Sequence, residues 1–470
     1  MKIAFIMSEA VPYAKTGGLA DVCGALPLEL ENLGAEVVMF LPRYQSVRAS
    51  GVILHSLNND VDFTSIGQHI KVYFIKHDMY LREGLYGDRF GDYQDNLKRF
   101  SYFCVKSLET LKRTNFIPDV IHCHDWQASL VPMYAKIAGK NYFGLSKSPK
   151  TLLTIHNISY QGIFPKEQIN DTGLGWEQFT VSGFEFYDKI NLLKGGIEYA
   201  DYINTVSPTH AQEILTKEFG CGLDGVLKSR QDRFCGIVNG MDYKVWNPQG
   251  DPDIFKNYSA ERHDDKKANK IKLQEFCKLS KGESIPLCGF VGRLVDQKGI
   301  DLVINVIPKL VENGFQLIIL GKGEPKYEDM LIDIAKNNPA SVFFSSQFDD
   351  ELAHKIYAAS DLFFMPSRFE PCGMGQLISF KYGTIPVVFK TGGLSDTVED
   401  YHKGKNSGTG LVFSRFEPED FLAAVLRSKD ILSEAKKHKE MITRIMKLNF
   451  SWKESAKKYM DIFHKMTAGK

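Results

Sequence analysis

The sequence lacks two features that would assign the protein to a specialised class. It has no long apolar run, because Ser8 and Glu9 interrupt the opening Met1–Met7 segment at the length of one strand. We therefore expect neither a signal peptide nor a membrane span, and no membrane partner. An excess of charge of one sign is also missing, since 58 Lys and Arg residues stand against 57 Asp and Glu residues. This balance argues against nucleic acid as a partner, although a small anionic ligand needs only local positive charge.

Several common site motifs are missing as well. The eight cysteines include no CxxC, and several lie in apolar runs. This pattern is typical of buried free thiols in a reducing compartment, so we predict a cytoplasmic protein. The sequence has no Walker lysine motif and no G-x-S-x-G. Gly321–Pro325 begins like a dinucleotide-binding loop, but Pro325 and the absence of a third glycine argue against it.

The alternation of apolar runs and helical patterns predicts two α/β domains. A chain of 470 residues is too long for one compact core. Strands are predicted over residues 3–7, 37–41, 120–122, 151–155 and 202–206, and again over 287–291, 315–320, 342–344, 362–365 and 386–389. Helices are predicted over residues 20–33, 300–313 and 451–464. The turn-rich stretch 239–262 predicts a linker, and parallel sheets covered on both faces are the expected architecture.

A glycine-containing octapeptide occurs twice in nearly the same form. Lys15–Val22 reads KTGGLADV, and Lys390–Thr397 reads KTGGLSDT. Adjacent glycines let backbone N–H groups approach a ligand, and a nearby lysine adds positive charge. Each copy therefore predicts a small anion-binding loop, unless the likeness of the two turns is accidental.

The second half contains a loop with two cations. Gly292–Gly299 directly follows a predicted strand and opens a helix, so Arg293 and Lys298 are predicted to project from one loop. Such a pair at a helix N-terminus suits a diphosphate. The alternative is two unrelated surface cations.

A second loop in this half contains a single carboxylate. Ser367–Gln376 again follows a strand, and its Gly373 and Gly375 let main-chain amides reach a phosphate or a sugar hydroxyl. Glu370 would face the positive charge that develops on a reacting sugar. The alternative role for Glu370 is to cap the helix that follows.

In the first half, polar residues follow two predicted strands. His156 and Asn157 end one strand, where both side chains can hydrogen-bond to sugar hydroxyls. His122–Trp126 reads HCHDW, which suggests a metal site at first, but no further ligands with zinc spacing follow. We instead interpret Asp125 and Trp126 as a carboxylate and an aromatic platform for carbohydrate. The two D-x-D tripeptides at residues 60–62 and 251–253 are interpreted as solvated loop or edge carboxylates.

Together these motifs resemble the bacterial glycogen synthase and plant starch synthase family of retaining glucosyltransferases. The resemblance covers essentially the whole chain. Its markers are Lys15–Val22, Asp95-Asn96, Arg99-Phe100, Asp119–Trp126, His156-Asn157, Val206–Pro208, Asn239-Gly240, Gly292–Gly299, Ser367–Gly373 and Lys390–Thr397.

The family resemblance implies a GT-B fold, with two Rossmann-like domains and an active site in the cleft between them. We place the first domain at residues 1–245 and the nucleotide-sugar-binding domain at 246–450, with the C-terminal helix within 451–470 packing back on the first. The implied reaction transfers glucose from ADP-glucose to the non-reducing end of an α-1,4-glucan. It implies no cofactor and no metal, because the cations of the loop already offer the charge that a metal would supply.

The resemblance also implies a role for each site residue. It assigns catalytic contacts to His156, Arg293, Lys298 and Glu370. It assigns donor binding to Lys15, Gly17, Gly18, Asn239, Phe348, Gly373, Met374 and Gly375, with Phe348 stacking on the adenine. It assigns acceptor binding to Asp125, Tyr93, Trp126 and Asn157.

The sequence differs from the family at one site position and leaves several alternative functions open. Relatives commonly carry threonine at the position of Gly375, so we expect altered donor affinity rather than lost activity. The main alternative is a glucosyltransferase that uses UDP-glucose and a small acceptor of the sucrose type. A nucleotide-sugar epimerase, a glucan phosphorylase and a non-catalytic glucan-binding protein are further alternatives.

Overall fold

The computed structural model describes residues 1–138, 149–347 and 349–468. Contacts divide the chain into two compact units, one formed by Met1–Gly240 with Trp452–Lys470 and the other by Met241–Ser451. The sequence places the domain boundary between residues 245 and 246, and the contacts place it between Gly240 and Met241. Among the described helices, none combines the length and the apolar character that crossing a lipid bilayer requires.

The first unit is built on a nine-stranded sheet. Its strands are β1 (Lys2–Ile6), β2 (Glu36–Pro42), β3 (His55–Asn58), β4 (Val61–Ile66), β5 (Ile70–Ile75), β8 (Val120–His124), β9 (Lys150–Ile155), β13 (Tyr202–Thr205) and β14 (Phe234–Gly236). Small hairpins add β6 (Gly87–Asp88) with β7 (Gly91–Asp92), and β10 (Ile163–Pro165), β11 (Glu185–Phe186) and β12 (Lys189–Asn191). The order in the large sheet is β14-β13-β9-β8-β1-β2-β5-β4-β3, parallel except for β3–β4 and β4–β5.

Helices connect these strands on both faces of the sheet, as parallel pairing requires. They are α1 (Gly18–Asn32), α2 (Gln45–Ala49), α3 (Asn96–Arg113), α4 (Asp125–Ala128), α5 (Leu130–Ile137), α6 (Leu192–Tyr199), α7 (Pro208–Glu213) and α8 (Asp224–Ser229). Strand β1 is buried from Ile3 onward, and its apolar run fills the centre of the sheet.

The second unit contains a six-stranded parallel sheet. Its strands are β15 (Leu287–Val291), β16 (Gln316–Leu320), β17 (Val342–Ser345), β18 (Leu362–Met365), β19 (Ile385–Phe389) and β20 (Leu411–Phe413), in the order β17-β16-β15-β18-β19-β20. Its helices are α9 (Lys266–Phe276), α10 (Ile300–Glu312), α11 (Pro325–Asn337), α12 (Asp350–Ala359), α13 (Gly375–Lys381), α14 (Gly392–Thr397), α15 (Pro418–Arg427), α16 (Lys429–Leu432) and α17 (Ala435–Met446).

The last helix, α18 (Trp452–Thr467), belongs to the first unit. It packs against α1, and Trp452, Tyr459 and Phe463 join the hydrophobic core of that unit. The side chain of Ser455 donates a hydrogen bond to the Val238 carbonyl at 2.8 Å, which fixes the start of the helix.

All ten predicted strands are confirmed to within two residues. The interpretation of the D-x-D tripeptides as solvated carboxylates holds for the partly exposed Asp60 and Asp253 but is wrong for one carboxylate of each tripeptide. Asp62 lies in β4 and is buried, and its carboxylate pairs with Arg43 at 2.8 Å and Lys76 at 2.9 Å. Asp251 is also buried, and its carboxylate accepts a hydrogen bond from Tyr382. Neither is a solvated carboxylate, because each has polar partners that replace water.

The cysteine prediction is mostly confirmed. All eight cysteines are free, and six of them are buried. Cys235 is partly exposed and Cys221 is exposed. Burial raises the pKa of the Cys104 and Cys123 thiols, so both stay protonated and unreactive.

Candidate active site

In both units the predicted site residues follow the carboxyl ends of parallel strands. In the first unit, the predicted residues Asp125 and His156 follow β8 and β9, and Glu9, which the sequence did not predict, follows the neighbouring strand β1. In the second unit, the Arg293 and Glu370 loops follow the adjacent strands β15 and β18. Parallel strands end at one edge, so each set of loops is brought together, and this edge is where open α/β sheets bind ligands.

A buried carboxylate holds the first octapeptide loop. Glu9 accepts hydrogen bonds at Oε2 from the Thr16 amide at 2.5 Å and the Gly17 amide at 3.2 Å, and at Oε1 from the Thr16 hydroxyl at 2.6 Å. Lys15 pairs with Asp21 at 2.7 Å, and Gly18 is the first residue of α1. The loop therefore binds an anion, as its sequence suggests, but in this structure that anion is the protein's own Glu9.

His156 is held by its backbone and by its ring. Its amide donates to Asp125 Oδ1 at 2.7 Å, and its Nε2 lies 3.0 Å from His124 Nδ1. Burial lowers the pKa of His156 to about 3, so its ring is neutral at pH 7. Asn157 caps the turn that follows, since its Oδ1 accepts from the Ser159 amide at 3.0 Å.

The carboxylate of Asp125 supports the backbone at His156 by accepting a hydrogen bond from its amide. The residue adopts a left-handed conformation with φ of 54°, which is uncommon for a residue other than glycine. Burial raises its pKa from the ordinary value of 3.8 to about 7, against the lowering effect of the His156 and Asn157 amides. Asp125 thus orients the chain at His156, and its assignment to the acceptor stays a prediction.

This pKa predicts a pH-dependent gain in stability for Asp125→Asn. Between pH 3.8 and about 7 the folded protein keeps a proton on Asp125 that the unfolded chain releases, so the free energy of unfolding falls as pH rises through this range. Asparagine retains the Oδ1 acceptor but cannot ionise. We expect Asp125→Asn to raise the melting temperature at pH 8 and to leave it nearly unchanged at pH 4.

Thermal unfolding of both proteins at the two pH values measures this effect. Asp60→Asn makes the same change in net charge at a surface ion pair with Lys106, and serves as the control. An equal gain for Asp125→Asn at both pH values would contradict the shifted pKa.

A groove of about 330 Å³ in the first unit contains both aromatic residues assigned to the acceptor. Tyr93 lines it with Trp126, Tyr160 and Gln161. Trp126 is only 8% exposed, so it forms part of the wall rather than an open platform. Its indole packs closely on Gly162, where an added Cβ would lie 2.6 Å from the ring. The groove combines aromatic faces and amide groups, which suits carbohydrate hydroxyls and C–H surfaces.

Two guanidinium groups hold the Tyr93 ring. Those of Arg82 and Arg99 lie 4.6 and 5.0 Å from its centroid. Arg82 forms two hydrogen bonds of 2.7 Å with the Asp95 carboxylate, and Arg99 is completely buried. Arg82 and Arg99 therefore fix the position of the Tyr93 ring in the groove.

In the second unit the cation loop and the carboxylate loop contact each other directly. Lys298 Nζ lies 2.6 Å from Glu370 Oε2, which also accepts from the Ser367 hydroxyl at 3.0 Å. Glu370 is buried, whereas a quarter of the Lys298 side chain is exposed. Arg293 is exposed and donates to Gln297 at 3.2 Å. One cation of the predicted pair is thus neutralised by Glu370, and the other is open to solvent.

The second octapeptide docks on the carboxylate loop. The Gly393 amide donates to the Glu370 carbonyl at 3.0 Å. A Cβ at Gly393 would lie 2.1 Å from the Cys372 carbonyl oxygen, so only glycine permits this approach. The glycines of this copy serve close backbone packing around Glu370, and Lys390 of the same copy is exposed.

Comparison with family models and with known proteins shows which family the chain belongs to. Residues 2–229 match the family model described as starch synthase catalytic domain, and residues 272–447 match glycosyl transferases group 1. The chain is 42% identical to the glycogen synthase of Thermodesulfovibrio yellowstonii over 98% of its own length and 97% of the relative's. It is also 42% identical to the glycogen synthase of Geotalea daltonii over the full length of both. The chain belongs to the glycogen synthase and starch synthase family.

Solved structures agree with this family and with its GT-B fold. The catalytic domain of starch synthase IV from Arabidopsis thaliana, bound to ADP and acarbose, matches with a TM-score of 0.90 and 32% identity over 99% of both chains. A sucrose-phosphate synthase from Thermosynechococcus elongatus matches over 100% of both chains with a TM-score of 0.63, and at 18% identity it shows the fold alone.

Large side chains surround Gly375, the position at which the family resemblance leads us to expect threonine. A Cβ there would lie 2.9 Å from Phe363, 3.0 Å from Met365 and 3.2 Å from the Tyr357 hydroxyl. These large side chains already fill the space that a threonine would need. Gly373 has a φ of 76°, and Met374 precedes the first residue of α13, so the backbone turns at Gly373 just before that helix.

The family resemblance assigns two further residues, Asn239 and Phe348, to the donor. Asn239 is buried, and its Oδ1 has no hydrogen-bond partner in the described part of the chain, as is expected of a group that binds a ligand. Phe348 lies outside the described residues.

One group in the second unit has the composition of a metal site. Ligand atoms of Asp251, Asp253 and His354 lie within 4.8 Å of one another. Asp251 Oδ2 is already shared by His354 Nδ1 at 2.7 Å and the Tyr382 hydroxyl, and the indole of Trp246 stacks on His354 at 4.0 Å. These contacts make the group a buried polar anchor for the chain that enters the second unit.

Sequence reasoning missed two residues that support the site. Glu9 lies outside every motif, and only its place after the first strand pointed to the ligand-binding edge. The HCHDW motif suggests His124 as a metal ligand at first, whereas its ring contacts His156.

Proposed function

We propose that this protein transfers glucose from ADP-glucose to the non-reducing end of an α-1,4-glucan with retention of configuration. The observation that carries the proposal is the pairing of Lys298 with Glu370 beside the exposed Arg293. Full-length identity of 42% to glycogen synthases supports the choice of reaction. The similar starch synthase IV domain was solved with ADP bound, which supports the choice of nucleotide.

The donor would bind to the second unit through its diphosphate. Arg293 is free to contact phosphate oxygens, and Lys298 can turn toward them if it exchanges the Glu370 carboxylate for a phosphate. A bound diphosphate therefore competes with Glu370 for the ammonium group. Lys15 is proposed as a further phosphate contact, which requires it to leave Asp21.

The electrostatics suit cleavage of a bond between a sugar and a diphosphate. Negative charge grows on the departing phosphate and positive charge grows on the sugar ring. Cations at the phosphate and the Glu370 carboxylate near the sugar stabilise the two ends of this separation. Because Arg293 and Lys298 supply positive charge, we propose that the transfer needs no metal ion.

The acceptor glucan would bind in the groove of the first unit. Tyr93 and Trp126 offer aromatic faces, and Gln161 offers an amide for sugar hydroxyls. His156 would contact the transferred glucose, with its backbone fixed by Asp125.

A radiolabel assay with two donors and two acceptors tests the proposal. We expect incorporation into glycogen from ADP-glucose, little from UDP-glucose, and little transfer to fructose from either donor. Addition of EDTA should leave the rate unchanged. Transfer from UDP-glucose to fructose without labelling of glycogen would overturn the proposal in favour of a small-acceptor glucosyltransferase.

A further inference from the structure

A buried row of polar side chains crosses the first unit and ends at His156. The Asn204 amide donates to the Tyr459 hydroxyl at 3.1 Å, and Asn204 Oδ1 lies 2.6 Å from Thr154 Oγ1. Thr154 Oγ1 in turn lies 2.6 Å from His122 Nε2. The next ring, His124, lies 4.1 Å from His122 between ring centroids. Apolar cores seldom contain so many polar groups unless their hydrogen bonds specify one arrangement.

Hydrogen-bond roles along the row define the tautomer of His122. Asn204 Oδ1 can only accept, so the single hydroxyl proton of Thr154 is donated to it. Thr154 Oγ1 must then accept from His122, which places the His122 proton on Nε2. Its Nδ1 is left as a buried lone pair without a partner in the described part of the chain.

The same reasoning applies to His124 and His156. His124 Nδ1 and His156 Nε2 are 3.0 Å apart, so one nitrogen carries a proton and the other accepts it. His124 Nε2 is buried and has no partner among the described residues. A proton on that nitrogen would leave a buried N–H unsatisfied, which native proteins avoid more strictly than an unpaired acceptor. The proton therefore belongs on His124 Nδ1, which donates to His156 Nε2.

We propose that His124 is a positioning residue that fixes His156 in the Nδ1–H tautomer. With Nε2 occupied as an acceptor, His156 holds its own proton on Nδ1, for which no protein partner is found in the described part of the chain. The ring then presents a hydrogen-bond donor, so it would recognise an acceptor oxygen of the sugar or of its phosphate link. Burial lowers the pKa of both rings and keeps them neutral. The tautomer of His156 then decides whether the free ring nitrogen donates or accepts a hydrogen bond.

Two contacts thus define what His156 presents. Asp125 fixes its backbone through the amide, and His124 fixes its ring nitrogen. The identity of the ligand rests on the proposed function, but the tautomer does not.

Nitrogen NMR of the protein labelled with ¹⁵N-histidine tests the tautomer directly. Two-bond ¹⁵N–¹H correlations distinguish a protonated from an unprotonated ring nitrogen, and a spectrum of His156→Asn identifies the His156 signals. We expect Nδ1 to be protonated and Nε2 unprotonated in the unmodified protein at pH 7. An Nε2–H tautomer there would overturn the proposal, whether or not the protein acts on ADP-glucose.

Variants at His124 link the tautomer to activity. His124→Leu removes the donor, so we expect His156 to lose its single Nδ1–H tautomer and kcat/KM to fall about fivefold, which is the factor for one net hydrogen bond. His124→Asn retains an N–H donor near the Nδ1 position and should restore kcat/KM to within about twofold.

The matched control is His122→Leu. It removes an equally buried imidazole from the same strand without touching His156. We expect a loss of stability similar to that of His124→Leu, with the His156 tautomer and kcat/KM retained. Equal losses of kcat/KM in the two leucine variants, without rescue by asparagine, would assign His124 a purely structural role and overturn the proposal.

Discussion

Lys298→Ala is expected to lower the turnover number for glucosyl transfer about 100-fold or more, and Glu370→Ala by a similar factor. This is the scale of removing one preorganised charged group from a reacting centre. The first variant would lose the stabilisation of the leaving diphosphate, and the second would lose the stabilisation of the sugar. Initial rates of glycogen labelling at saturating ADP-glucose measure both effects.

The contact between the two side chains predicts that the losses are not additive. Lys298 Nζ and Glu370 Oε2 are 2.6 Å apart, so removing either partner also releases the other from its ion pair. We expect the double variant to lose less activity than the product of the single losses. Lys281→Ala breaks an exposed ion pair of 2.7 Å with Glu275 and should leave the rate unchanged. Near-normal rates in both single variants would refute the assignment of the site.

Lys270→Met is expected to lower the free energy of unfolding of the second unit by about 3–5 kcal/mol, the usual cost of breaking a buried ion pair. Lys270 Nζ lies 2.6 Å from Asp361 Oδ2, and both residues are buried. The same oxygen accepts from the Leu287 amide at 2.8 Å. Asp361 precedes β18 and Leu287 begins β15, so this carboxylate holds the starts of the two strands that carry the site.

Urea unfolding of the parent and the variant measures this loss. Lys281→Met removes an ion pair of nearly the same length at the surface and should cost less than about 1 kcal/mol. Adding Asp361→Asn to Lys270→Met should recover part of the loss, because the unpaired buried charge disappears. A loss for Lys270→Met no larger than that of the surface control would contradict this explanation.

The sequence predicts the core strands well because burial on both faces leaves continuous apolar runs. Strands β15 and β18 have their predicted bounds, and β1 differs by one residue at each end. The segment that forms β3, β4 and β5 was missed. Strands β3 and β4 lie at the edge of the sheet, where polar residues such as Asp62 alternate with apolar ones and obscure the period. Strand β5 is a mostly buried apolar run that the sequence prediction omitted.

The sequence predicts only part of the site, because it does not reveal which strands are neighbours in the sheet. The motifs correctly locate the Arg293 and Glu370 loops at strand ends, because each motif directly follows an apolar run. The contact between Lys298 and Glu370 depends on β15 and β18 being neighbours, which chain order does not reveal, since β16 and β17 intervene in sequence. Glu9 was missed because one carboxylate after a strand has no spacing pattern.

A crystal structure of the complex with ADP tests the central claim most directly. We expect the diphosphate to lie within hydrogen-bond distance of Arg293 and Lys298, and Lys298 to have left Glu370. A diphosphate bound away from both cations, with the ion pair between Lys298 and Glu370 intact, would contradict that claim.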